Sequence, residues 1–225
     1  MSNTKTECTG MVILSDMDSN TKAIATVTVN DEFVLKGLKV VEGKNGLFVA
    51  MPSRKFGNDY QEVVFPVTKE AREQLFDTVL NTYSKLQEEG LDKFKAEDKE
   101  LPKQAVSKID VVLNPTDVGK KKAVVAVGQI KFDDCIVVSG VTVKHGTNKN
   151  GVEKDFVSMP AYKMLDKDGN SSYVEYAHAI TASCRAKIDK AVLGAFEKLQ
   201  VQKNAQKAEQ KDVTTDKPQK KQKTR

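Results

Sequence analysis

Phe48-Val49-Ala50-Met51-Pro52 returns 108 positions later as Phe156-Val157-Ser158-Met159-Pro160. The match extends to both sides. Lys22-Ala23-Ile24-Ala25-Thr26-Val27 corresponds to Lys122-Ala123-Val124-Val125-Ala126-Val127. Val79-Leu80-Asn81-Thr82-Tyr83-Ser84-Lys85-Leu86 corresponds to Val192-Leu193-Gly194-Ala195-Phe196-Glu197-Lys198-Leu199. The offset grows from 100 to 103 to 108 to 113, and the steps are assigned to turns after Val29, Gly43 and Pro52. Insertions confined to connections are what a duplicated domain accumulates, because loops accept length changes that strands do not. The chain contains one domain twice.

Within a copy, residues 23–29 alternate small apolar residues with Ile24, Thr26 and Thr28, the two-residue period of a strand. Asn30-Asp31 supplies a turn, 33–41 reads as the returning strand, and Gly43-Lys44-Asn45-Gly46 closes a second hairpin. Further strands are expected over 11–14, 47–51 and 61–65, with 52–59 as a loop. Thr68 is the expected N-cap of a helix, and Glu70 lies in its first turn, where the dipole favours an anion. Ala71, Leu75, Val79, Tyr83 and Leu86 fall on one helical stripe, repeated as Cys184, Ile188, Val192, Phe196 and Leu199 behind Thr181. Each copy is a meander of about five strands with one amphipathic helix on one face, so the fold class is α+β. The expected organisation is a first domain over 8–86, a linker over 87–107, a diverged second domain over 108–199 and a disordered Lys/Gln-rich tail over 200–225.

One such unit, roughly 75–90 residues with a single helix, is marginal for burying a core and leaves sheet edges to manage. Pairing the two copies answers both problems. The linker can extend ~70 Å at ~3.3 Å per residue, so an intramolecular pseudo-twofold dimer is expected.

Charge and composition narrow the function. The 225 residues hold 36 Lys and Arg against 31 Asp and Glu, a net charge of +5. By segment the net charge is −1 over 1–86, −2 over 87–107, +3 over 108–199 and +5 over 200–225. The tail therefore reads as a solubilising appendage, a non-specific polyanion contact, or both. No stretch approaches the ~20 apolar residues that span a bilayer, so no membrane association is expected. The polar N-terminus has no apolar core of a secretory signal, and a reduced, cytoplasmic location is expected. Three Cys without a close pair and two His make a disulfide framework or zinc site a poor reading. Cys135 and Cys184 read as core, and His145 and His178 as surface or interface residues. There is no phosphate-binding glycine loop after a strand, and 166–170 lacks the full calcium-loop pattern. No catalytic residue, metal or cofactor is expected, and the chain is not read as an enzyme.

Residues 23–30, then Asp31-Glu32-Phe33-Val34, then Gly46-Leu47-Phe48-Val49-Ala50-Met51-Pro52-Ser53-Arg54-Lys55, resemble the SpoVG family, stage V sporulation protein G. Pro66 and the helix with Val79-Leu80 carry the resemblance over 11–86, and the segment 46–53 followed by two basic residues is its specific part. The second copy keeps Phe156, Val157, Met159 and Pro160. Ala161 and Tyr162 replace Ser53 and Arg54, and Lys163 stands opposite Lys55. The resemblance implies a fused version of single-domain bacterial proteins that dimerise. Those proteins are described as regulators of sporulation, septation and virulence genes that bind DNA and in some cases RNA. It makes DNA or RNA the expected partner. The alternative reading is a protein-interaction module in septation or cell-division control, using exposed sheet edges for strand addition without direct nucleic-acid binding.

Seven cations are the candidate nucleic-acid contacts. Arg54 and Lys55 follow Pro52 in the expected loop and would meet phosphates. Lys163 is the counterpart of Lys55, beside Tyr162, which would either stack a base or cap the sheet. Arg72 and Arg185 occupy equivalent positions in the second helical turn, where the dipole disfavours a cation. At 100° per residue Arg72 falls about 20° from Val79, on the apolar stripe. Both arginines therefore read either as ion pairs with the equivalent Glu62 and Glu175 or as phosphate contacts at a helix N-terminus. Lys69 and Lys187 are outward helix cations of one copy each.

Overall fold

Asn30-Asp31 and Asp133-Asp134 turn with φ between 44° and 57°, a left-handed conformation that Asn and Asp tolerate better than other side chains. Each turn folds two long strands back on one another at the centre of its half. The computed structural model describes residues 8–14, 20–95, 108–116, 123–147, 150–165 and 168–214.

The first half runs β1 (Cys8–Leu14), β2 (Thr21–Val29), β3 (Phe33–Gly43), β4 (Gly46–Ala50), β5 (Ser53–Phe56), β6 (Asp59–Glu62), β7 (Val64–Pro66) and α1 (Lys69–Glu88), followed by β8 (Lys93–Lys95). The second repeats the order as β9 (Ile109–Pro115), β10 (Val124–Phe132), β11 (Ile136–Thr147), β12 (Glu153–Ser158), β13 (Ala161–Leu165), β14 (Ser171–Glu175), β15 (Ala177–Ala179) and α2 (Ala182–Thr214). The fold is α+β in two tandem copies. Both helices start where the threonines place them: the Thr68 hydroxyl accepts from the Ala71 amide, and that of Thr181 from Cys184, each at 3.1 Å.

The sheets do not respect the boundary between copies. One sheet runs β15-β3-β2-β1-β8 with β4 also on β3; the other runs β12-β11-β10-β9 with β7 on β11. Thus β7 of the first half pairs with β11 of the second (Val64 with Val138, Pro66 with Ile136), and β15 pairs with β3 (Ala177 with Leu35, Ala179 with Phe33). The same two backbone bonds secure each exchange. Val63 donates to Pro52 at 2.8 Å and Ser139 to Val63 at 2.7 Å; Tyr176 donates to Pro160 at 2.9 Å and Lys36 to Tyr176 at 2.7 Å. Leu75, Val79 and Leu86 of α1 and Ile188, Val192 and Phe196 of α2 belong to one continuous buried cluster. Near the junction the Phe33 and Phe132 rings lie 4.2 Å apart.

Four sequence expectations change. The β2–β3 register shifts at Ala25/Thr26 and the β10–β11 register at Gly128/Gln129, leaving Gly37 (φ 80°) and Gly140 (φ 82°) as the extra residues of two equivalent bulges. Those glycines and the turns at Asn30 and Asp133 share the offset of 103, so the 100-residue match of Lys22 to Lys122 is a register slip. Runs of Ala and Val satisfy either register on hydrophobicity alone, whereas a bulge glycine and a turn satisfy one. The expected loop 52–59 is mostly a hairpin of β5 and β6 around Gly57 (φ 63°). The linker is not featureless: Gly90 (φ 62°) closes α1, and β8 then adds a strand beside β1. Finally, α2 continues to Thr214, into the segment expected to be disordered, because Ala, Gln, Lys and Glu there are strong helix formers. Residues 96–107 and 215–225 lie outside the described residues. No described helix is long and apolar enough to cross a membrane.

Candidate functional site

Reciprocal strand exchange brings side chains of one half onto the sheet of the other. At the bulge in β11, Gly140 presents bare backbone, and the Arg54 guanidinium from β5 lies over it. A Cβ at 140 would stand 3.0 Å from Arg54 Nη2 and 3.1 Å from Nη1. Glycine here meets two needs, a positive φ and a close approach.

Around Arg54 lies a cleft of about 720 Å³ lined from both halves, by Lys36 of β3, Lys144 of β11, Tyr173 and Glu175 of β14, and His178 of β15. The Lys144 ammonium donates to Ser158 Oγ at 3.1 Å. Among the described residues, none of Lys36, Arg54 or Lys144 is ion-paired with a carboxylate. Burial, and secondarily Lys36, hold His178 below the ordinary histidine value, against the pull of Glu175. It is therefore a neutral group near neutral pH that an incoming anion would help to charge.

The equivalent positions related by the duplication are different in chemistry. Tyr162, Ser139, Val41 and Phe65 replace Arg54, Lys36, Lys144 and His178. Tyr162 packs on Tyr176 with ring centroids 4.9 Å apart, so it covers the sheet. Cations have gathered on one of two related sites.

The two hairpins carry a second shared pattern. Lys55 stands directly opposite Tyr60, and Lys163 opposite Tyr173. Directly opposed residues share a face, and the tyrosines are 73% and 76% exposed. Each hairpin thus offers a cation beside an uncovered aromatic ring, the pairing that suits a phosphate and its neighbouring base.

The other expected contacts are dispersed. Arg72 is exposed, with its guanidinium 5.5 Å from the Phe76 ring centroid, and does not pair with Glu62. Arg185 is half-buried and pairs with Asp189 rather than Glu175; its Nε lies 3.0 Å from the carboxylate, and Nη2 donates to the Val157 carbonyl at 2.7 Å. Lys69 pairs with Glu73 at 3.5 Å on the helix surface. Lys187 lines a separate groove against β9. Sequence reading missed Lys36, Lys144 and His178. One signal was available, a glycine inside a strand pattern directly after Lys36 and again at Gly140, which marks a bulge or a close approach. Among the described residues no group of three or more His, Cys, Asp or Glu is placed to hold a metal ion.

The sequence model of the SpoVG family matches residues 9–85 and again 106–198. A Finegoldia magna protein named "Putative septation protein SpoVG" is 49% identical over 72 residues, 32% of this chain and 67% of its own. Proteins of the same name are similar in Archaeoglobus fulgidus, 49% over 67 residues (29% of this chain, 79% of that one), and Alkaliphilus oremlandii, 46% over 66 residues (29% and 71%).

Proposed function

This chain belongs to the SpoVG family, and from that premise we propose that it is a nucleic-acid-binding regulator acting in septation. In this reading both halves of what would otherwise be a dimer are supplied by one polypeptide. The observation that carries the reading is the cleft in which Lys36, Arg54 and Lys144 converge from two halves without a carboxylate partner. Unpaired cations crowded into a concave site repel one another, and a bound phosphate relieves that repulsion while releasing condensed counterions. The hairpin pairs Lys55–Tyr60 and Lys163–Tyr173 extend the surface and suit single-stranded RNA or DNA, whose bases are free to stack. Arg185, held by Asp189 and Val157, serves the fold in this reading, and the tail adds non-specific attraction.

The test is binding of the full-length protein to duplex DNA and to single-stranded RNA across a salt series. A log–log slope near −0.9 per phosphate is expected on duplex DNA, and shallower slopes for a Lys36→Ala, Arg54→Ala, Lys144→Ala triple variant. A slope near zero for the unaltered protein would sink the reading.

A further inference from the structure

One sheet edge is closed in the first half and open in the second. In the first half β8 pairs along the outer side of β1, Val12 with Phe94 and Ile13 with Lys93, and Leu14 donates to the Asp92 carbonyl at 2.9 Å. Helix α1 packs over both strands. In the second half β9 is the counterpart of β1, and among the described residues no strand lies on its outer side. The Val112 carbonyl points inward at β10, since a Cβ on Gly128 would run into it. By the alternation of a strand, the amides and carbonyls of Val111 and Leu113 then face outward.

Beside that edge runs a groove of about 790 Å³ between β9 and α2, lined on the helix by Lys187, Lys190, Lys198 and Gln202 and on the strand by Asp110, whose carboxylate is already paired with Lys108 and Lys131. The positions 113 residues earlier, as for Thr68 and Thr181, hold Gln74, Asp77 and Lys85 on the first helix and Glu89 at its C-cap. Two acids and one base there give −1; three lysines here give +3. The first slot holds the basic strand Lys93-Phe94-Lys95. The wall of the second is also lower: Ala191, Gly194 and Ala195 stand where Thr78, Asn81 and Thr82 stand, and a Cβ on Gly194 would meet nothing within 4 Å.

We propose that the outer edge of β9 and the lysine-lined face of α2 form a strand-addition site for an extended acidic segment of another protein. Its pattern is an apolar residue flanked by Asp or Glu, the charge-reversed form of the strand that closes the first half. The edge supplies backbone donors and acceptors at the repeat of a peptide, and the lysines select charge. A second copy of this chain fits poorly, because edge-to-edge pairing would bring two lysine-lined faces together. The inference stands on the β9 edge alone and is independent of nucleic-acid binding in the cleft.

The experiment uses the full-length protein and three fluorescent nonapeptides. One is centred on Glu-Phe-Glu, one is its Lys-Phe-Lys counterpart, and one is the acidic peptide with alternate amides N-methylated. The acidic peptide is expected to bind about tenfold more tightly than either control, and Lys190→Glu with Lys198→Glu to reverse the charge preference by a similar factor. Both lysines are exposed, so the fold is not at risk. Amide exchange at Val111 and Leu113 should slow only with the acidic peptide. Equal binding of the N-methylated peptide, equal binding of the basic one, or no protection at Val111 and Leu113 would overturn the proposal. So would a peptide-free dimer by light scattering in which those amides are already protected.

Discussion

Gly37 and Gly140 form a matched pair from which the contribution of Arg54 can be isolated by subtraction. Both sit at bulges, with φ of 80° and 82°, so an L-residue at either incurs the same backbone strain, about 1–2 kcal/mol. Their surroundings differ. A Cβ at 37 meets Pro52 at an ordinary 3.7 Å, whereas at 140 it meets the Arg54 guanidinium at 3.0 Å, and the guanidinium must lift away. Gly37→Ala and Gly140→Ala should therefore lose similar stability, and for a chain of this size a loss of about 1–2 kcal/mol is a fall in Tm of about 2–8 °C. Only Gly140→Ala should also lose nucleic-acid affinity, to the extent that Arg54→Ala does. Removing one phosphate contact makes the log–log slope shallower by about 0.9, so the variant's deficit should narrow about 3.5-fold between roughly 50 and 200 mM salt. Anisotropy titrations at several salt concentrations, beside thermal denaturation, measure both quantities. Equal loss of binding in Gly37→Ala would refute the role given to Arg54. Wild-type binding by Gly140→Ala would refute it as well.

Three further outcomes follow from the packing and electrostatics. Leu75→Ala and Ile188→Ala should each cost about 2–5 kcal/mol; because the buried residues form one cluster, both should lower a single calorimetric transition, and separate transitions would contradict the shared core. The folded-state value of His178 is lowered by burial and Lys36 from 6.5, so its contribution to stability is whole above 6.5 and is lost as pH falls from 6.5 toward the lowered folded value. His178→Phe, which copies Phe65, should flatten the fall in Tm between about pH 7 and 5, and an unchanged profile would count against this account. Hydrogen bonds from Lys131 and then Lys108 hold the Asp134 carboxyl at about 2, against an ordinary 3.8. The stabilisation is present above 3.8 and lost as pH falls toward 2. Carboxyl NMR should place the midpoint near 2, and a midpoint near 3.8 would show that the lysines do not hold it.

The duplication, the α+β class and both helix starts were legible because they rest on local chemistry: a threonine cap, a 3.6-residue stripe, an Asn-Asp turn. Strand exchange was not. β7 and β15 are three residues each, too short to carry a period, and their partners lie in the other copy. The cationic cleft was hidden for the same reason, since Arg54 and Lys144 become neighbours only after the exchange. Arg72 shows the limit of the helical wheel. Its angle points toward the apolar stripe, but angle fixes direction and not what lies opposite, so its guanidinium instead lies over the Phe76 ring. At the same angle Arg185 finds the Val157 carbonyl and is held.

Unlike side chains at equivalent positions give this molecule a direction. Two identical chains related by an axis must display every feature twice, and such assemblies match targets that share their symmetry. Fusion removes that obligation, and here the two sites have gone separate ways: Arg54, Lys36 and His178 on one side, Tyr162, Ser139 and Phe65 on the other. A strand crossing both would pass from a charged grip to an aromatic, largely uncharged one, so its two orientations would be unequal in energy. On the proposed reading, a target of this chain would need no palindrome.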